Sequence, residues 1–142
     1  MTEIHRTALV SHSAETFYNL INDVEAYPEF LDGIVAAEAV ESSETEMVGR
    51  LVVRKAGIER TLVTRNQLQR PHRIELTLVE GPLKSLSGCW TLTPLGDDGC
   101  RVTLDMAFET DGLLAMAFGP IMRQLADRMV DAFVQRADQL YG

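Results

Sequence analysis

The feature that most constrains this chain is the apolar stripe running through its C-terminal stretch, Gly112 to Gly142. Phe118, Ile121, Met122, Leu125, Met129, Phe133 and Leu140 fall on one side when the segment is wound at helical period, and Arg123, Gln124, Asp127, Arg128, Asp131, Gln135 and Asp138 fall largely on the other. That pattern belongs to a helix with one face covered. The Gly119-Pro120 pair predicts that the main helix starts at Pro120, because proline at a first helical position gives up a hydrogen bond that has no partner there anyway. Leu113 to Phe118 is then a preceding turn or a short kinked helix, and Gly142 supplies the stop. Much of the remaining chain alternates at period two. One long helix laid across one sheet follows.

Taken in order, Glu3 to Ser11 reads as a first strand with no clean apolar face. Ser13 is a good N-cap, with Glu15 in the first turn, and Phe17, Tyr18, Leu20, Ile21 and Val24 give a short amphipathic helix. Asp23 is placed to cap a second one, which Tyr27-Pro28 must bend, since the residue before proline avoids helical backbone. Strands follow at Ile34 to Val40, Met47 to Lys55 and Ile58 to Leu68, then around Ile74-Leu76-Leu78, Leu86-Trp90-Leu92 and Val102-Leu104-Met106-Phe108. Short turns between consecutive strands imply an antiparallel sheet, and the long helix must cover its apolar face. The expectation is an α+β fold in a single domain over residues 1–142, with a seven-stranded antiparallel sheet around the C-terminal helix and two short helices after the first strand.

The net charge of -8 disfavours a nonspecific nucleic-acid or anionic-membrane binder. No apolar run approaches the roughly 18 residues of a spanning helix, and no signal-peptide core precedes the first strand. The expected location is cytoplasmic, peripheral to the inner membrane at most. Reading Gly96-Asp97-Asp98-Gly99 as a hairpin turn sets Cys100 near Leu95 and Cys89 near Met106. The thiols are then about 20 Å apart along the ladder, too far for a disulfide, and they lack the spacing of a zinc site.

Candidate chemistry is sparse. His5, His12 and His72 have no ligand partner at helical spacing and read as structural or surface residues. Glu25, Glu29 and Asp32 cluster near Tyr27 and Phe30, where a solvated acidic edge is the simpler reading than an acid–base pair. No nucleophile elbow, phosphate loop or metalloprotease motif occurs. Met106, Met116, Met122 and Met129 suit either a core or a deformable apolar pocket. Arg60, Thr64 and Asn66 share strand parity with Ile58, Leu62 and Leu68. They form either a wet face near a sheet edge, the simpler reading, or inward polar groups in need of a partner. Leu113, Leu114, Met116 and Phe118 read as core in preference to a gate or dimer patch.

Four stretches carry a family resemblance. Asp23-Val24-Glu25-Ala26-Tyr27-Pro28-Glu29-Phe30-Leu31 resembles the D-V-E-x-Y-P-x-F-L signature of the coenzyme Q-binding protein family. Gly81-Pro82-Leu83-Lys84-Ser85-Leu86-Ser87-Gly88-Cys89-Trp90 is similar to its G-P-F-K-x-L-x-G-x-W segment, and Thr64-Arg65-Asn66 to its T-S-R-N strand. Ala132-Phe133-Val134-Gln135-Arg136-Ala137, ending in Leu140-Tyr141-Gly142, resembles its C-terminal A-F-x-x-R-A and Y-G. Two departures stand out: Phe30-Leu31-Asp32-Gly33-Ile34 replaces F-L-P-W-C, and Leu83 replaces a phenylalanine.

The resemblance implies the START-like helix-grip fold of the polyketide cyclase/dehydrase superfamily. It implies a cavity between sheet and C-terminal helix for ubiquinone or a similar isoprenoid lipid, carried as cargo with no catalytic cofactor, in support of respiratory electron transport. The expected wall is Phe17, Tyr27, Phe30, Leu62, Leu78, Leu83, Lys84, Trp90, Leu104, Met106, Phe118, Met122, Leu125 and Met129. The same grouping includes the ribosome-association toxin RatA, so a large-subunit partner and blocked subunit joining form the rival expectation. Its discriminator is a basic patch from Arg50, Arg54, Lys55, Arg60 and Arg65. A polyketide-cyclase-like enzyme ranks third, and the chain is read as a binding protein with no catalytic residues.

Overall fold

A computed structural model describes residues 1–110 and 112–142. The elements are β1 (Thr2–Val10), α1 (Ala14–Asn22), a 3-10 helix (Val24–Glu29), β2 (Ile34–Ser42), β3 (Glu46–Lys55), β4 (Ile58–Gln69), β5 (Arg73–Glu80), β6 (Ser85–Pro94), β7 (Cys100–Glu109) and α2 (Gly112–Tyr141). The seven strands form one antiparallel sheet in the order β1-β7-β6-β5-β4-β3-β2. Consecutive strands from β2 to β7 are hairpin neighbours, and β1 closes against β7, so the sheet curls around α2. This is the helix-grip arrangement expected above.

Strand alternation decides which face meets the helix. On β7, Val102, Leu104, Met106 and Phe108 are buried, and on β6 so are Leu86, Trp90 and Leu92. Across from them α2 buries Phe118, Met122, Leu125, Ala126, Met129, Val130, Phe133 and Ala137. Ile121 is only half-buried and Leu140 is half-exposed, so the stripe is turned slightly from the sequence expectation toward the small residues Ala126 and Ala137. Small side chains let the helix axis approach the sheet closely.

Three sequence expectations are corrected. The helix does not start at Pro120; α2 runs without a break from Gly112, whose φ of 83° suits glycine as the lead-in. Pro120 and Met116 are both exposed, so the carbonyl that Pro120 leaves without a donor lies on the solvent side of the first turns. Leu113 and Met116 are 86% and 64% exposed, so they are not core; Phe118 is, and the Leu114 side chain lies outside the described residues. Asp23 makes no side-chain cap to the 3-10 helix, whereas Ser13 does cap α1, its Oγ accepting from the Thr16 N–H at 3.2 Å.

The β6–β7 register differs by one residue from the sequence reading. Cys89 faces Asp105 and Cys100 faces Pro94, because the loop spans Leu95 to Gly99 and closes with a Leu95 N–H to Gly99 carbonyl bond of 2.9 Å. Paired residues share a face, and the expected pairing of outward Cys89 with inward Met106 breaks that rule. Both cysteines are free, as expected. Burial pushes the Cys100 thiol above its ordinary pKa.

Among the described residues no helix is long and apolar enough to cross a membrane.

Candidate functional site

Between α2 and the concave face of the sheet lies a small cavity of about 60 Å³. Its origin is local. The inward positions of β3 and β4 carry Gly49, Thr64 and Asn66 where large apolar side chains would otherwise fill the space under the helix. Gly49 pairs with Thr64 across the ladder, so two small inward residues lie side by side. The rest of the wall is apolar: Leu51 and Leu62 on the same hairpin, Ile74 and Leu76 on β5, Leu86 and Trp90 on β6, Met106 on β7, and Met122, Leu125 and Met129 on α2. Ile21, Asn22, Val24 and Tyr27 close the end formed by α1 and the 3-10 helix.

A second, open groove of about 330 Å³ runs along α2 beside the end of β3. Phe30, Leu31, Gly33, Val53, Ile121 and Ala132 give it an apolar floor, and Asp32, Lys55, Arg128 and Asp131 a charged rim. Leu125 lines both spaces. Lys55 Nζ sits 2.5 Å from Asp32 and holds its carboxyl below the usual range, Arg128 adding to the effect.

The expected wall residues divide three ways. Tyr27, Leu62, Trp90, Met106, Met122, Leu125 and Met129 line the cavity, and Phe30 lines the groove. Phe17, Leu104 and Phe118 are fully buried core, Leu83 is buried, and Leu78 is half-buried against the core. Lys84 is exposed and lies 3.9 Å from Glu109, away from both spaces. Phe133, read in the apolar stripe and in the C-terminal motif but not among the expected wall residues, proves to be the hub: its ring meets Tyr27, Phe30, Trp90 and Phe17 at centroid distances of 5.3, 5.1, 5.4 and 6.4 Å.

Thr64 and Asn66 do not form a wet face. Asn66 is buried, both line the cavity, and the Thr64 hydroxyl donates to Asn66 Oδ1 at 3.0 Å. Arg60, of the same parity, lies toward the hairpin end and donates to the Glu59 carbonyl at 2.7 Å. Asn22 was not anticipated; its Oδ1 is buried without a hydrogen-bond partner among the described residues. The strand parity that picks out Trp90 would also have found Leu86. Asn22 carries no such signal, because a polar residue ending a helix is ordinary.

The carboxylates near Tyr27 diverge. Glu29 accepts from Arg136 at 2.8 Å, Asp32 pairs with Lys55, and Glu25 accepts weakly from the Ala39 N–H at 3.4 Å. Arg136 also lies 5.2 Å above the Phe30 ring, so it pins the 3-10 helix to α2. The Tyr27 hydroxyl donates to the Ile21 carbonyl; burial, with Asp23 adding to it, raises its pKa far above the tyrosine norm, so it stays neutral. His12, buried, bonds Asp138 at 2.8 Å and ties the end of β1 to α2, while His5 pairs with Asp105 on the outer face. Among the described residues no group of three His, Cys, Asp or Glu is placed to hold a metal ion.

The basic patch does not assemble. Arg50, Arg54 and Arg65 share the outer face, but each is paired, with Glu38, Glu59 and Glu46. By strand parity Lys55 and Arg60 point to the opposite face.

The geometry agrees with what the chain resembles. The profile of the family described as "Polyketide cyclase / dehydrase and lipid transport" matches residues 10–134. The ribosome association toxin RatA of Vibrio cholerae serotype O1 is 46% identical over 143 residues, covering 100% of this chain and 99% of that protein. RatA of Pseudomonas aeruginosa is 43% identical over 142 residues, covering 99% of each. Among solved structures, the ZhuI aromatase/cyclase of Streptomyces sp. R1128 superposes with a TM-score of 0.84 at 19% identity, over 97% of this chain and 94% of that one. A START superfamily protein of Mycobacterium smegmatis gives 0.73 at 23%, over 97% and 98%. The structural likenesses carry the fold, and the profile and the near-full-length relatives carry the kinship: this chain belongs to the START-like polyketide cyclase/dehydrase and lipid transport family, alongside the RatA proteins.

Proposed function

We propose that this chain associates with the ribosome, binding the large subunit and opposing subunit joining. The observation that carries the reading is the 46% identity to a ribosome association toxin, over 100% of this chain and 99% of that protein. The acidic total and the paired arginines of β3 and β4 support contact with a protein or shaped surface in preference to a phosphate backbone. The engagement of Glu29 by Arg136 and of Asp32 by Lys55 supports a binding role over a catalytic one. The test is sedimentation of ribosomal particles with and without the purified protein. Depletion of joined ribosomes with the protein in the large-subunit fraction supports the proposal, and an unchanged profile overturns it.

A second reading is favoured by one specific observation, the apolar cavity that shares the lining residue Leu125 with a neighbouring groove. In this reading the chain takes up an isoprenoid quinone or a similar lipid, in the cytoplasm or in transient contact with the inner membrane, in support of respiratory electron transport. Each methylene buried contributes about 0.8 kcal/mol, so a tail along the groove needs no strong polar anchor. Organic extraction and mass spectrometry of protein purified from a quinone-producing host test it. Stoichiometric lipid supports it; clean extracts together with no saturable quenching of Trp90 overturn it.

A further inference from the structure

One end of the cavity carries chemistry that a purely aliphatic ligand leaves unused. Asn22 ends α1, and its Oδ1 is buried with no hydrogen-bond partner among the described residues. A buried amide oxygen without a partner is uncommon in folded proteins and asks for one. On β4, the Thr64 hydroxyl occupies Asn66 Oδ1, which leaves the Asn66 amide N–H groups as its remaining donors. Asn22, Thr64 and Asn66 line the same space of about 60 Å³, and its other walls are almost wholly apolar. A side chain with an unpartnered acceptor and another with an amide donor therefore line one small, largely apolar space.

We infer that the cavity takes an apolar ligand whose buried end is a hydroxyl group, such as a phenol, a quinol or a hydrophobic alcohol. The hydroxyl donates to Asn22 Oδ1, and its oxygen can accept from the Asn66 amide. The inference rests on the second reading above and narrows it. A fully oxidised quinone ring offers only acceptors and leaves Asn22 unsatisfied, whereas its reduced form brings the missing donor. A ring needs more room than the closed cavity gives, since an engineered cavity of about 150 Å³ is what accommodates benzene. Displacement of Leu125, the wall shared with the groove, supplies that room.

Trp90 is the only tryptophan and lines the cavity, so its fluorescence reports occupancy. The test titrates phenol and toluene, which differ by a hydroxyl for a methyl, into wild type and Leu125→Ala, the latter with and without Asn22→Leu or Asn22→Asp. Leu125→Ala is expected to bind both probes saturably. Adding Asn22→Leu should weaken phenol at least tenfold and leave toluene unchanged or tighter, while Asn22→Asp, which keeps an acceptor, retains phenol. A loss shared equally by the two probes, or no loss of phenol at all because water alone satisfies Asn22, overturns the inference and leaves the cavity reading standing. Failure of Leu125→Ala to bind either probe overturns both.

Discussion

The Phe133 ring on α2 meets the Trp90 indole on β6 edge to face, with 5.4 Å between centroids and 84° between planes. The same ring also touches Tyr27 and Phe30, so one helix residue joins the sheet, the 3-10 helix and the loop after it. Phe133→Ala should therefore lower unfolding free energy by about 3–5 kcal/mol, read from urea denaturation followed by Trp90 fluorescence. Phe133→Leu keeps most of the volume and should lose less. A loss below about 1 kcal/mol for the alanine variant, the ordinary scale of a point mutation, would contradict the hub assignment.

Arg136 holds the same junction by charge. It pairs with Glu29, stacks over Phe30, and has a buried Nε with no hydrogen-bond partner among the described residues. Arg136→Lys keeps the charge and loses the planar stack, so it should still destabilise the fold. The expected loss is about 1–2 kcal/mol, allowing for the exposure of Glu29. Hydrogen exchange should show faster opening of Val24–Glu29 and little change in β6 and β7. Uniform acceleration across the sheet would argue against a local clamp.

Burial of Tyr27 makes stability depend on alkaline pH. The unfolded tyrosine loses its proton near its ordinary value of 10.0, whereas the folded one keeps it well beyond. Above that pH the unfolded state holds fewer protons, so stability is full below pH 10 and falls as pH rises past it. Tyr27→Phe should flatten this fall, with Tyr18, also raised by burial, retaining part of it. At neutral pH the same change removes the donor to the Ile21 carbonyl and should cost about 1–3 kcal/mol. An alkaline limb identical in both proteins would contradict the assignment.

Gly49 keeps the cavity open. A methyl there would lie 3.4 Å from Met47 Sδ and 3.7 Å from Val24 Cγ2, ordinary contact distances, on backbone any residue can adopt. Gly49→Ala should raise stability by about 0.5–1 kcal/mol, the usual gain over glycine inside a strand. It should also weaken toluene binding by the Leu125→Ala protein. A destabilised Gly49→Ala would mean that the space is already filled.

The fold was legible because its two periods are clean. The alternation on β6 and β7 and the stripe on α2 specify a sheet gripping a helix, and each buries the face it advertises. Errors fell where one residue decides. Proline inside exposed first turns costs little enough that Pro120 does not start the helix, and a five-residue loop from Leu95 to Gly99 looks like a four-residue turn. The site was harder. Large apolar wall residues such as Trp90, Met122 and Met129 follow from parity, but a cavity is made by what is missing. Gly49 and Thr64 leave space only because the ladder sets them side by side. Asn22 matters only because its oxygen is buried without a partner among the described residues.

A sucrose gradient of purified subunits and joined ribosomes with added protein tests ribosome association. The protein should travel with the large subunit, and joined ribosomes should decline as it is added. Because the outer-face arginines are already paired, this association should weaken only modestly with salt, in contrast to the steep loss of a binder that neutralises many phosphates. Protein that stays at the top of the gradient while the joined-ribosome peak is unchanged would contradict it.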